Sequence, residues 1–424
     1  MEMPLRSGID REEPFSFLPA LEKEDHFNIR QAVERLREGL FDPVAVRMLT
    51  AHEERLKAIV ERGFGMLDAG ERPHLCVAGA YGQGKSHSLV YIQDLALQEG
   101  FATSLINLDP REVPFHNFRT VYRELMRNLR MPGANGSFPS QWKKWFQQRI
   151  KVRVELEGDL GDLFPAGMPH FFKAVLAAIA LGNVSLSERE RQSTKHAALR
   201  PKEFPVLLAR ALEGEAVPLS RLREVFKYRQ VPFYKDASLS CRGSEPFLLM
   251  VQALSRLLRN IGCRGWVLLF DEAEAIAQAG VIARGKSYNL LHSLFAQDVS
   301  GSAFLYPVFA FTDDFFQRLS GEDFGKVRTR GETEIPYFEL DYADKWRDLT
   351  IYRLEDLSRK EWEQLCRKLI RLHGAAYEWQ PPEAGVAREM ISGLDAVRTP
   401  DTRFKLKALV DCLDLVHQRQ VLNL

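Results

Sequence analysis

Apolar positions along the chain recur at two spacings, and each change of spacing marks a new element. Over residues 28–39, and again over 53–67, they recur at helical spacing with an Asp42-Pro43 break between, so residues 1–70 read as a helical leader. His74-Leu-Cys-Val-Ala-Gly is a short apolar strand, a glycine-rich turn follows, and 86–98 reads as a helix that stops at Gly100. A second strand over 102–108 precedes a helix in which Phe118, Tyr122, Leu125, Met126 and Leu129 share one face. From 132 to 244 the pattern changes: Pro, Gly and charged breaks alternate with helical pieces such as 171–181 and 204–212, which predicts an inserted, mostly helical region. A strong amphipathic helix over 246–260 then leads to apolar strands at 266–270 and 304–311, separated by another helix. Thr350-Ile-Tyr-Arg-Leu is the last predicted strand, and the chain is helical from Ser358 onward, with breaks at Pro381-Pro382 and Thr399-Pro400. The expected class is α/β: a parallel-sheet core of residues 71–131 and 245–353, the insert 132–244, and a carboxyl-terminal helical lid 354–424.

Composition changes this picture little. The 424 residues suffice for two or three domains. With 58 Lys plus Arg against 57 Asp plus Glu, the net charge of +1 supplies no global field toward nucleic acid, so any DNA contact has to come from a local patch. The five cysteines are scattered without a CxxC, which favours reduced thiols, and no cluster of His, Cys, Asp or Glu has zinc spacing. The amino terminus carries no apolar signal, and the longest apolar stretch, 174–181, falls far short of the ~20 residues that span a bilayer. The expectation is a cytoplasmic protein without a membrane segment.

Chemistry enters at Gly79-Ala-Tyr-Gly-Gln-Gly-Lys85-Ser86, the GxxxxGK[ST] pattern between a strand and a helix. A helix amino terminus and successive backbone N–H groups converge on one point there, which suits a polyphosphate such as that of ATP. Gly79, Gly82 and Gly84 permit the turn, Gln83 lies within it, Lys85 supplies a charge to the terminal phosphates, and the Ser86 hydroxyl is placed for Mg2+. His87 borders the loop and is counted with it as a nucleotide-contacting position, with packing inside the helix as the competing reading. Val267-Leu-Leu-Phe-Asp271-Glu272 supplies the rest: Asp271 to hold magnesium and Glu272 to polarise the attacking water, against the alternative that Asp271 caps a helix. Glu274 fits a supporting or surface position. Thr312, ending the 304–311 strand, is a candidate to position that water or sense the terminal phosphate, although Thr also caps helices.

Further along, Arg403 is preferred over Arg398 as an arginine that reaches a phosphate from a helix start. Arg328 and Arg330 are candidates for a finger toward a neighbouring subunit's nucleotide, with solvated loop arginines as the commoner case. Trp142, Trp145 and Phe146 alternate with Lys143, Lys144, Arg149 and Lys151, a composition suited to nucleic acid, yet their spacing favours a helix packed on the insert. Residues 221–235 form a second basic stretch with the same ambiguity.

The segments Arg30-Gln-Ala-Val-Glu-Arg-Leu-Arg, Gly79-Ala-Tyr-Gly-Gln-Gly-Lys-Ser, Leu257-Leu-Arg-Asn-Ile-Gly-Cys-Arg-Gly, Asp271-Glu-Ala-Glu, Phe309-Ala-Phe-Thr-Asp-Asp-Phe-Phe, Leu354-Glu-Asp-Leu-Ser-Arg-Lys-Glu-Trp and Leu372-His-Gly-Ala-Ala-Tyr-Glu-Trp extend the pattern over most of the chain. Together they resemble the BrxC/BrxD type of P-loop ATPase, a group within the AAA+ and origin-recognition-like ATPases found in BREX and related anti-phage islands. The resemblance implies Lys85 and Ser86 as the Walker A pair, Asp271 and Glu272 as Walker B, Thr312 as sensor 1 and Arg403 as sensor 2. The small-residue and Pro-Arg arrangement usual before sensor 2 reads here as Thr399-Pro-Asp-Thr-Arg403. It further implies an ATPase using ATP and magnesium, a homo-oligomer, and work on DNA or on a helicase or nuclease of the same system. The alternative is a nucleotide-gated scaffold with negligible turnover.

Overall fold

The computed structural model describes residues 17–40, 42–133, 136–155, 160–181, 203–231, 234, 238–295, 304–323, 338–396 and 401–422. The chain forms two compact units. The larger contains residues 56–78 and 92–353 and is built on a six-stranded sheet. Its strands are β1 (Leu75–Ala78), β2 (Ala102–Asn107), β3 (Leu129–Arg130), β4 (Trp266–Asp271), β5 (Leu305–Phe311) and β6 (Ile351–Arg353), in the spatial order β3-β2-β4-β5-β1-β6. Every pairing is parallel except β2 with β3.

Strands β1, β4 and β5 are buried along their whole length, which is why they read in the sequence as unbroken apolar runs instead of alternating ones. Phe270 and Phe309, on neighbouring strands, stack at 4.3 Å, and Phe115 meets both rings edge-on. Helix Glu245–Asn260 lays Phe247, Met250, Val251, Leu254, Leu257 and Leu258 into the same core. The helices of the expected insert, Phe138–Glu155, His170–Leu181, Glu203–Leu212 and Leu219–Tyr228, share that core too. Helix His170–Leu181 is buried almost all round, and the other three pack against it. A helix without a polar face needs such cover, and its neighbours satisfy its carbonyls: Trp142 Nε1 donates to Leu176 O at 3.0 Å.

Trp142 and Phe146 are therefore core residues, while Lys143, Lys144 and Arg149 stay exposed. Trp142 and Phe146 pack, as their helical spacing implies, and Trp145 is half-buried against Trp142.

The smaller unit contains residues 1–55, 79–91 and 354–424. Helices His26–Arg37 and Pro43–Leu49 pack with Arg359–Tyr377, Glu383–Ala396 and Thr402–Val421 around a second apolar core that includes Val33, Leu36, Leu369, Ile370, Val410 and Leu413. Each start has a chemical cause: Asp25 and Asp42 cap the first two helices, and Ser358 with Glu361 forms a capping box on the third. Among the described residues no helix is long and apolar enough to cross a membrane.

Gly63, on helix Glu53–Asp68, lies where an added Cβ would collide with the buried ring of Tyr306. Alanine is the better helix former, so propensity and packing oppose each other here. Gly63→Ala should lose about 2 kcal/mol, the cost of overpacking a filled core, measured as a lower urea midpoint at unchanged slope.

Candidate functional site

In the larger unit the carboxyl ends of the parallel strands form the chemical edge, because strands buried along their length can place polar groups only at their ends. Asp271 ends β4 with only 8% of its surface exposed, and its Oδ1 accepts the Glu272 N–H at 2.9 Å. Glu272 has φ +53°, the left-handed region, and its side chain is exposed. A β-carbon residue held there costs on the order of 1 kcal/mol, a strain that clusters at functional sites. The turn is held from below: Ala273 N donates to Ala310 O of β5 at 3.0 Å, and Asp271 O accepts from Leu108 N at 2.9 Å. The next helix, Ala275–Gln278, has Glu274 as its N-cap residue, so Asp271 does not serve as a helix cap.

Thr312 follows β5, the strand between β4 and β1. It occupies the N-cap position of helix Asp313–Ser320 without a side-chain capping bond. The register opposes Asn107 to Asp271 and Arg353 to Ala78, and Arg353 Nη1 pairs with Asp313 Oδ1 at 2.7 Å. Asn107 and Arg353 thus belong to the same polar edge. The sequence held a signal for both, a polar residue ending a mostly apolar strand, but it could not give the strand order that aligns them.

In the smaller unit the loop between β1 and helix Lys85–Gln98 takes its shape from Gly82 at φ +80° and Gly84 at φ +99°, positions where a side chain is strained. Lys85 is buried, with Nζ 3.1 Å from Gly79 O and 3.0 Å from Ala80 O, so its ammonium closes the loop from inside. Ser86 is half-buried at the helix start. Gln83 turns its amide back: Oε1 accepts from Ala80 N at 2.6 Å and Nε2 donates to Asp356 Oδ1 at 2.8 Å.

His87 Nε2 lies 2.9 Å from Thr50 Oγ1, whose own proton goes to Val46 O at 2.6 Å. The imidazole is therefore the donor, and it is neutral, because burial pushes its pKa down to about 4. Helix Thr402–Val421 begins on the loop: Thr402 N donates to Gly82 O at 3.3 Å, and Asp401 caps the helix through the N–H groups of Arg403 and Phe404. A Cβ at Gly82 would lie 3.0 Å from the Asp401 carboxyl. Arg403 is exposed, with its methylenes near Gly39.

The structure thus brings the Gly79 to His87 loop together with Asp401 and Thr402 in one unit, with Arg403 beside Gly39, and places Asp271, Glu272 and Thr312 at the ends of neighbouring strands in the other. Asp356 and Asp401 were missed by sequence reasoning, since acidic residues beside a phosphate loop carry no motif. Arg328, Arg330 and Arg398 lie outside the described residues. Among the described residues no group of three His, Cys, Asp or Glu could hold a metal ion by itself. Taken separately, the Asp271 carboxyl at its strand end in the larger unit and the Ser86 hydroxyl at the helix start in the smaller one are each hard oxygen donors of the kind that magnesium takes.

A family model described as BREX system ATP-binding protein BrxC/D matches residues 27–164 and 243–424. Between the two matched parts lie residues 165–242, which include helices His170–Leu181, Glu203–Leu212 and Leu219–Tyr228. No curated protein matches the chain.

The His87 environment carries a pH signature. Its folded pKa of about 4 lies below the ordinary 6.5, so the unfolded chain takes up the proton first, and this stability is present above pH 6.5 and lost as pH falls toward 4. Urea titrations at about pH 7.5 and about pH 5 should differ by about 2 kcal/mol more in the wild type than in His87→Gln, which keeps a donor for Thr50 but cannot titrate.

Proposed function

The chain belongs to the BrxC/BrxD family of BREX system ATP-binding proteins, so it binds ATP, and we propose that it also hydrolyses it, as a magnesium-dependent AAA+-type ATPase acting in anti-phage defence. The observation that carries this reading is Glu272, an exposed carboxylate in a strained backbone conformation directly after the buried Asp271 at the end of a central strand. Lys85 neutralises the terminal phosphates, Glu272 orients the attacking water and takes up its proton, and Thr312 holds the water or the phosphate oxygen from the neighbouring strand. Ser86 and Asp271 would hold magnesium, which would supply charge neutralisation on the phosphates. Arg403 approaches the nucleotide from the carboxyl-terminal helices, and Arg328 or Arg330 serves a neighbouring copy in a homo-oligomer.

Turnover, in this reading, is coupled in the cytoplasm to DNA or to a helicase or nuclease of the same system. The leader, core, insert and lid divide that work, with nucleotide binding and hydrolysis coupled to movement of the lid and the insert.

Phosphate release measured with wild type, Glu272→Gln and Lys85→Ala tests the hydrolysis. Glu272→Gln should retain ATP and lose turnover by about 100-fold or more, while Lys85→Ala should lose binding as well. Tight ATP binding by a wild type that releases no phosphate would replace this reading with that of a nucleotide-gated scaffold. The DNA coupling has its own test, since Lys143, Lys144 and Arg149 are exposed on one helix. Replacing all three with alanine should make the log–log salt dependence of DNA binding shallower by about two to three; an unchanged slope removes this patch from the account.

A further inference from the structure

The Gln83 side chain is an amide held by two unlike partners. Its oxygen accepts the Ala80 N–H at 2.6 Å, and its nitrogen donates to Asp356 Oδ1 at 2.8 Å, which leaves only one way for the amide to lie. The Ala80 to Gln83 turn is closed a second time by Gln83 N on Ala80 O at 3.4 Å, and Lys85 Nζ adds to the same carbonyl. Asp356 itself lies in a segment with fixed flanks. Leu354 fills the space beside Gly79, where an added Cβ would come within 3.1 Å of it. Glu355 pairs with Arg55 at 3.2 Å, and Ser358 opens the next helix through its capping box with Glu361.

We propose that Asp356, acting through the Gln83 amide, is a positioning residue that holds the phosphate loop in its nucleotide-accepting shape and so sets affinity for ATP. The proposal rests on the loop being the ATP site. Without the carboxylate, the amide loses the partner that fixes its orientation, Ala80 N–H loses its acceptor for part of the time, and the loop must be ordered by the ligand at the ligand's expense in affinity. The carboxylate also has a cost: a negative charge beside the polyphosphate opposes its binding. The two effects separate by substitution, because asparagine keeps an oxygen acceptor for Gln83 Nε2 and removes the charge, whereas alanine removes both.

The test is the dissociation constant of a fluorescent N-methylanthraniloyl ATP for the full chain, with the melting temperature of each variant recorded. Asp356→Ala and Gln83→Ala should each weaken binding about fivefold, the worth of one solvent-exposed charge-assisted hydrogen bond, and the double variant should be no weaker than the worse single one. Asp356→Asn should bind at least as tightly as wild type. Three results would overturn the latch alone: wild-type affinity in Asp356→Ala, equal losses in the Asn and Ala variants, or additive losses in the double variant. A lowered melting temperature at unchanged affinity would likewise reduce the contact to a stabilising one. Failure of the wild type to bind the analogue would overturn the assignment of the loop, and the latch with it.

Discussion

Burial of β1, β4 and β5 on both faces is the constraint from which the rest of the larger unit follows. A strand covered on both sides admits no polar side chain along its length, so its neighbours run parallel and are joined by helices that supply the cover. Chemistry is then confined to the strand ends. At the carboxyl ends the register opposes Asn107 to Asp271, Phe311 to Ala78, and Ala78 to Arg353. Peptide units at this edge turn into helix starts, whose N–H groups favour anions.

Within that edge, Glu272 departs from an ordinary helix entry by its left-handed backbone. The left-handed conformation is fixed by bonds on either side, Glu272 N to its neighbour's carboxylate and Ala273 N to β5. Asp271 is thereby occupied on one oxygen and oriented on the other. An ordinary capping turn would instead have pointed the aspartate at the following helix, the outcome that the Glu274 N-cap rules out.

The sequence made the core strands legible because long burial leaves long apolar runs: 266–270 and 304–311 were predicted within a residue of β4 and β5 at each end. The glycine-rich loop was legible because backbone conformation demands two of its glycines, Gly82 and Gly84 with positive φ, while Gly79 stands where a Cβ would press on Gln83 and Leu354. Periodicity read Leu129 as the last turn of a helix, but that helix stops at Arg127, and Leu129 with Arg130 pairs as an edge strand on Thr103 and Ser104. Two residues are too few to have a period. Equally invisible were Asp356 and Asp401, whose meaning comes from a loop more than 250 positions earlier in the chain.

The union of the leader helix His26–Arg37 with the carboxyl-terminal helices has a physical basis that no local pattern could carry. Trp379 Nε1 donates to His373 Nδ1 at 3.0 Å, which obliges Nε2 to carry the proton it shares with Asp414 at 2.9 Å. Burial alone would raise the Asp414 pKa, yet Arg37 and His373 outweigh it and hold the carboxylate ionised. Arg37 grips both Asp414 oxygens at 2.8 Å and continues to Tyr377 and Glu34. The chain of partners therefore crosses from helix His26–Arg37 to Arg359–Tyr377 and Thr402–Val421, each polar group satisfied by the next. The charged members are only half-buried, and each is shared among several partners, so the network acts less through strength than by selecting one packing of the three helices above others. Because Thr402–Val421 begins at Gly82 and is gripped at Asp414, that selected packing also fixes where Asp401 and Thr402 meet the loop.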